Sequence, residues 1–225
     1  IRGHIAANYI AYPELEPPFL CLAISGGNTM LVDVRDYTDL RILGQTRDDA
    51  AGECFDKSAR VLGLPYPGGA PIDRLAKEGR DDAYILPHPF VGENPYDMSF
   101  SGLKTAVINL AHHCEQTGET LDRAGLAASL CRAVSESLVP RTMAAAAELG
   151  YKKIAVAGGV AANGRLRQLV NDGAQKLGAK VYLPELKYCG DNGAMIAAQG
   201  YYEFKDGNIA DLTLNGLPTL AIDYR

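Results

Sequence analysis

The sequence predicts an α/β fold built on one mixed sheet, and three observations carry that expectation. An apolar run of strand length, Phe19–Ile24, and an alternating stretch, Thr29–Val34, are joined by the turn Ser25-Gly26-Gly27-Asn28, which reads as an antiparallel hairpin. Residues 154–157 and 179–183 read as strands on either side of a helix from 163 to 177, and such a strand–helix–strand unit joins parallel strands. Helical stretches lie between these two parts and can cover the sheet.

In chain order, Leu40–Gln45 is a candidate third strand. Asp48 and Asp49 are N-cap candidates for a helix through about Leu62, because Ala51, Phe55, Ala59 and Leu62 recur at helical spacing and Gly63 follows. Tyr66-Pro67-Gly68-Gly69 is a turn, with a short helix from Ile72 to Lys77. Residues 80–97 are rich in Pro and polar side chains and read as loop. Residues 101–115 are helical. Residues 121–149 form a long amphipathic helix or a pair kinked at Pro140. The last helix runs from Asn192 to Lys205.

Composition excludes several classes. A net charge of −5 argues against a chain that grips nucleic acid by charge alone. No apolar run approaches the roughly 18 residues that span a bilayer. Five Cys, scattered at 21, 54, 114, 131 and 189 without a CxxC, are not a disulfide framework or a zinc ribbon. They read as buried thiols of a reducing, cytoplasmic compartment. Neither a Gly-x-Ser-x-Gly elbow nor a Walker A loop is present.

Glycine is the outlier, 24 of 225 residues, and much of it is paired. Gly26-Gly27 sits in the hairpin turn, where missing Cβ atoms expose backbone N–H groups to a phosphate. Gly158-Gly159 follows a parallel strand and precedes a helix, where ligands of open α/β sheets bind, and Asn163 can cap that helix or reach the ligand. Gly68-Gly69 lies between Pro67 and Pro71, with Asp73 just beyond; the first and third pairs are also ordinary turn chemistry, and Gly158-Gly159 also suits plain packing between strand and helix. Asp49, Glu53 and Asp56 can share a helix face, which repels itself unless a cation or sugar hydroxyl meets it. Asp191 reads as an N-cap. His4, alone at the start of the chain, is a metal ligand only with partners from elsewhere, such as Asp191.

Six motifs occur in order: Ile-Ser-Gly-Gly-Asn-Thr (24–29), Asp-Asp-Ala-Ala-Gly-Glu-Cys-Phe-Asp-Lys (48–57), Tyr-Pro-Gly-Gly (66–69), Ser-Phe-Ser-Gly-Leu-Lys-Thr (99–105), Gly-Gly-Val-Ala-Ala-Asn (158–163) and Asp-Asn-Gly-Ala-Met-Ile-Ala (191–197). Together they closely resemble the TsaD/YgjD family, tRNA N6-adenosine threonylcarbamoyltransferases once described as O-sialoglycoprotein endopeptidases. The likeness runs from Ile1 through the final helix.

The resemblance implies an actin/hexokinase/Hsp70-like (ASKHA) nucleotide-binding fold of two lobes around a cleft, of which residues 1–225 are the C-terminal lobe. Residues 80–149 are then a loop and helical insertion within it. It implies transfer of a threonylcarbamoyl group from threonylcarbamoyl-adenylate to N6 of the adenosine beside the anticodon in tRNAs reading ANN codons. Ala23, Ile24, Ser25, Gly26 and Gly27 would line the phosphate and carbamoyl end. Asp56, Gly69 and Asp73 would hold the ribose and nearby groups, and Asn163 would lie by the nucleotide. His4 and Asp191 would hold one divalent metal ion, iron or zinc. The implied partners are tRNA, a TsaB-like paralogous subunit and a TsaE-like ATPase, with no membrane.

There are departures. The first His of the family's His-x-x-x-His would fall immediately before Ile1, the N-terminal lobe is not in the sequence, Asn28 replaces a common His and Arg2 a common Glu. The expectation is therefore a C-terminal portion, inactive alone. The competing readings are an ASKHA-type ATPase or kinase and a non-catalytic scaffold paralogue. Lys57, Arg60, Arg165 and Arg167 are local candidates for contact with tRNA.

Overall fold

The computed structural model describes residues 1–88, 91–217 and 220–223. Its sheet contains β1 (Phe19–Ile24), β2 (Thr29–Val34), β3 (Leu40–Gln45), β4 (Lys153–Ala157) and β5 (Lys180–Tyr182), in the order β3-β2-β1-β4-β5. β1 pairs antiparallel with β2 and parallel with β4, so the hairpin and the parallel pair share one sheet as expected.

Strand alternation divides the core into two layers. Leu20, Leu22, Ile24, Ile154 and Val156 point to one face. There they meet α2 (Ala51–Val61), α4 (Ser101–Thr117), α5 (Arg123–Leu149) and α6 (Gly164–Leu177). α3 (Gly69–Ala76) buries Ile72 in the same cluster and packs on α5 and α2. Phe19, Cys21, Ala23, Ala155 and Ala157 point to the other face, covered by α1 (Arg2–Ala11), with α8 (Gly193–Lys205) packed on α1. β1 is apolar at every position because both its faces are buried. All five Cys are buried and free, in keeping with the thiol reading.

The structure corrects several local expectations. α2 starts at Ala51 with Ala50 at its N-cap, and neither Asp48 nor Asp49 caps it. Asp48 instead accepts from the Phe100 and Ser101 N–H groups and the Ser99 and Ser101 hydroxyls, so it caps α4 across the fold. Asp191 is not the cap of α8; the Asn192 side chain accepts from the Met195 N–H at 2.9 Å. α5 is one helix through Pro140, and it is buried around most of its circumference rather than amphipathic. α1 and the short α7 (Leu186–Cys189) carry no expectation from the sequence.

Candidate functional site

The cleft opens at the carboxyl ends of β1 and β4, where strand termini leave backbone groups and loops free to meet a ligand. It has a volume of about 540 Å³, and Gly26, Asp56, Gly69, Asp73, Gly159 and Asn163 are among its lining residues. One glycine from each of the three pairs therefore reaches it.

The glycines divide the labour. Gly26 and Gly27 form the exposed tip of the β1–β2 hairpin, closed by the Ser25 N–H to Asn28 carbonyl bond of 2.7 Å, and a Cβ on either would meet open space. Gly159 and Gly69 are also open, whereas their partners are packed. A Cβ at Gly158 would lie 2.3 Å from the Ile24 carbonyl oxygen, and one at Gly68 would lie 2.4 Å from the Ala59 Cβ. Gly52, outside the pairs, also matters: a Cβ there would lie 2.4 Å from the Ser25 oxygen, so its absence lets α2 press on the hairpin tip. Sequence reading missed it, although its place one turn before Asp56 was visible.

Side-chain to backbone hydrogen bonds tie successive walls together. Asp56 on α2 accepts from the Gly68 N–H at 2.6 Å, fixing the turn that presents Gly69. Asp73 on α3 accepts from the Gly164 N–H at 2.7 Å, at the start of α6. Asn163, buried, caps α6 through the Leu166 N–H at 3.0 Å and donates to the Cys131 sulfur. Each carboxylate thus uses Oδ1 on the scaffold. Arg74, exposed and without an ion-pair partner among the described residues, is the cation lining the cleft. It was not singled out from the sequence.

The expected acidic face of α2 is resolved by lysines. Lys57 lies 2.6 Å from Glu53 and 3.5 Å from Asp49, and Lys104 lies 2.6 Å from Asp49, while Asp56 turns away toward Gly68. Ala23 and Ile24 are buried in β1 and do not line the cleft; Ser25 and Gly27 flank Gly26 at its edge. Among the cations considered for nucleic acid, Arg165 pairs with Asp81 at 2.6 Å. Arg167 is spent on the Ala161 and Pro184 carbonyls. Arg60 is exposed at the end of α2.

His4 and Asp191 come together, with Nε2 to Oδ1 at 3.1 Å, next to the cleft-lining Gly190. Asp191 is exposed and the imidazole is buried. Burial lowers the His4 pKa, which favours the neutral imidazole that a metal ligand requires. Its Nδ1 is buried without a partner. Among the described residues no group of three or more His, Cys, Asp or Glu gathers, so these two donors fit one side of a coordination sphere only. No helix among the described residues is long and apolar enough to cross a membrane.

Comparison with known proteins places this cleft in context. At 12% identity, the phosphate- and nucleotide-bound form of full-length HypF superposes with a TM-score of 0.68, covering 91% of this chain and 35% of that one. HypF from T. kodakarensis superposes at 0.64 with 15% identity, over 90% of this chain and 36% of that one. These likenesses show the fold, the ASKHA type. The tRNA N6-adenosine threonylcarbamoyltransferase of Moorella thermoacetica is 48% identical over 223 residues, 99% of this chain and 65% of its own length. That of Clostridium botulinum strain 657 is 45% identical over 225 residues, 100% of this chain and 66% of its own. The chain thus spans just under two thirds of these relatives. The family model described as TsaD, tRNA N6-adenosine threonylcarbamoyltransferase, matches residues 1–198, and the chain belongs to that family.

Proposed function

We propose that this chain supplies the adenylate-holding lobe of a threonylcarbamoyltransferase. The reaction moves the threonylcarbamoyl group from threonylcarbamoyl-adenylate to N6 of the adenosine beside the anticodon in tRNAs reading ANN codons. The observation that carries this reading is the convergence of Gly26, Asp56, Gly69, Asp73 and Asn163 on one cleft in a chain of this family.

The chemistry follows from those groups. The bare hairpin tip offers N–H groups to the adenylate phosphate, with Arg74 as the nearby counter-charge. Asp56, holding the Gly68 N–H through Oδ1, keeps Oδ2 for a ribose hydroxyl, while Asp73 Oδ2, 3.5 Å from the Lys77 ammonium, can accept from a second hydroxyl beside that cation. N6 attacks the carbamoyl carbon, the bond from that carbon to the phosphate oxygen breaks, AMP leaves with the electron pair of that bond, and the surplus N6 proton passes to solvent. An activated acyl group of this kind asks the protein chiefly for positioning and charge stabilisation.

His4 and Asp191 would hold one divalent ion, iron or zinc, with the remaining ligands from outside the described residues. When bound, that ion polarises the carbonyl or steadies the leaving phosphate. The reading includes tRNA, a TsaB-like subunit and a TsaE-like ATPase as partners in the cytoplasm, and no activity for these 225 residues alone. Reconstitution of the full-length protein with tRNA, those partners and threonylcarbamoyl-adenylate, followed by nucleoside analysis, tests it. Threonylcarbamoyladenosine with matching AMP release is the expected product; unmodified tRNA would sink the reading.

A further inference from the structure

We propose that Thr29, a residue that does not line the cleft, is a positioning residue: its hydroxyl holds the first turn of α2 against the hairpin tip and so sets the site's geometry. The proposal rests on the reading that the cleft holds an adenylate.

The first turn of α2 lacks a local cap. Ala50 stands at the N-cap, Asp48 is committed to α4, and Asp49 is committed to Lys104 and Lys57. The Ala51 N–H, left over by the helix, donates instead to Thr29 Oγ1 at 2.9 Å. Thr29 is 1% exposed and is the first residue of β2, immediately after the tip. Its backbone is fixed on both sides, by register with Ile24 on β1 and by the Thr46 N–H donating to its carbonyl at 2.8 Å.

One residue later in α2, Gly52 lies in contact with the Ser25 carbonyl and the Gly26 Cα. The hydroxyl and the missing Cβ thus act on the same seam, one pulling and one allowing close approach. Everything α2 carries to the cleft depends on that seam. Phe55 and Asp56 line the cleft from α2, Asp56 fixes Gly68, and Gly68 starts α3 with Asp73, which fixes Gly164. The links run in series from hairpin to α2, α3 and α6, and Thr29 is the first. Because it does not line the cleft, replacing it separates positioning from contact.

The test uses the full-length protein with AMP as probe, in calorimetric titration and amide hydrogen exchange. Thr29→Val keeps the shape and leaves the Ala51 N–H buried without an acceptor, and should weaken AMP binding about tenfold. Thr29→Ser, which keeps Oγ, should stay within about twofold of wild type. Val32→Ala, in the same strand but on the α1 side, should lose stability and keep AMP affinity. Gly52→Ala, with the hydroxyl intact, should reproduce the weakening by pushing the seam apart. In Thr29→Val, exchange should quicken both in the first turn of α2 and at Ser25–Gly27. Unchanged affinity in Thr29→Val and Gly52→Ala would overturn the proposal, as would quickened exchange confined to α2. If wild type fails to bind AMP, the adenylate reading fails, and hydrogen exchange alone then decides the seam.

Discussion

The Gly158-Gly159 pair offers a prediction in which adjacent, identical residues answer oppositely to the same substitution. Gly158 sits at φ 90°, ψ 174°, a region occupied almost solely by glycine. Alanine there costs about 1–3 kcal/mol in backbone strain. Its Cβ would also lie 2.3 Å from the Ile24 oxygen and 2.7 Å from the Ile24 carbon, both backbone atoms of a central strand. Forcing that contact apart is overpacking of a buried strand, another 1–3 kcal/mol or so. Gly158→Ala should therefore lose about 2–6 kcal/mol, a large share of the roughly 5–15 kcal/mol a domain possesses. Gly159 is exposed, its Cβ would meet open space and its φ is ordinary. Gly159→Ala should change stability by under about 0.5 kcal/mol while weakening AMP binding, because the methyl group enters the cleft. Urea unfolding of both variants, with AMP titration of the second, measures this. A loss below about 1 kcal/mol for Gly158→Ala would refute the packing argument.

Other predictions follow from the same contacts. Asp48→Ala removes the acceptor for four donors at the start of α4 and should cost about 1 kcal/mol in urea unfolding, typical of a lost cap. Burial raises the Asp48 pKa, but hydrogen bonds from Ser101, Ser99 and Phe100 outweigh it and leave the folded-state value lowered. Its contribution is thus present above the unfolded carboxylate value, about 3.9, and lost as pH falls through the folded value. The gap between wild type and Asp48→Asn should narrow as pH drops below about 4. Burial pushes the Cys54 and Cys131 thiols up to about 12, so neither should react with iodoacetamide at pH 8 until the protein unfolds. In the full-length protein, His4→Ala and Asp191→Asn should each lower the bound iron or zinc measured by elemental analysis. Unchanged metal content in both would remove these residues from the ligand set.

The sheet was largely legible because its signals are local. β1, β2 and β3 are apolar or alternating runs bounded by turn residues, and the hairpin joins neighbours in sequence. α7 escaped notice because four residues carry no periodicity. α1 escaped because its buried side, including Ile5, Ala6 and Tyr9, meets α8 from the far end of the chain. The misread cap at α2 has a long-range cause, whereas at α8 the cap lies one residue along, on Asn192 instead of Asp191. Asp48 stands in a good capping position for α2, yet it serves α4 more than fifty residues away, and Thr29 takes its place from a strand. Spacing rules cannot show a cap supplied through space.

In the candidate site, residue types were legible and their division of labour was not. The paired glycines announced backbone approach, but only packing tells that Gly158 and Gly68 face protein while Gly159 and Gly69 face the cleft. The resemblance implies Asp56 and Asp73 as ligand groups; what the structure shows is that Oδ1 of each holds a backbone N–H of the scaffold. Arg74 was missed because an exposed arginine one residue after an aspartate looks like any solvated helix face.

The most direct test of the central claim is a crystal structure of the full-length protein with AMP. The expected result is the phosphate against the N–H groups of the Gly26-Gly27 tip, ribose hydroxyls on Oδ2 of Asp56 and of Asp73, the latter beside Lys77, and Asn163 next to the base. AMP bound outside this cleft, or reversed in it with the base at the glycine tip, would contradict the account.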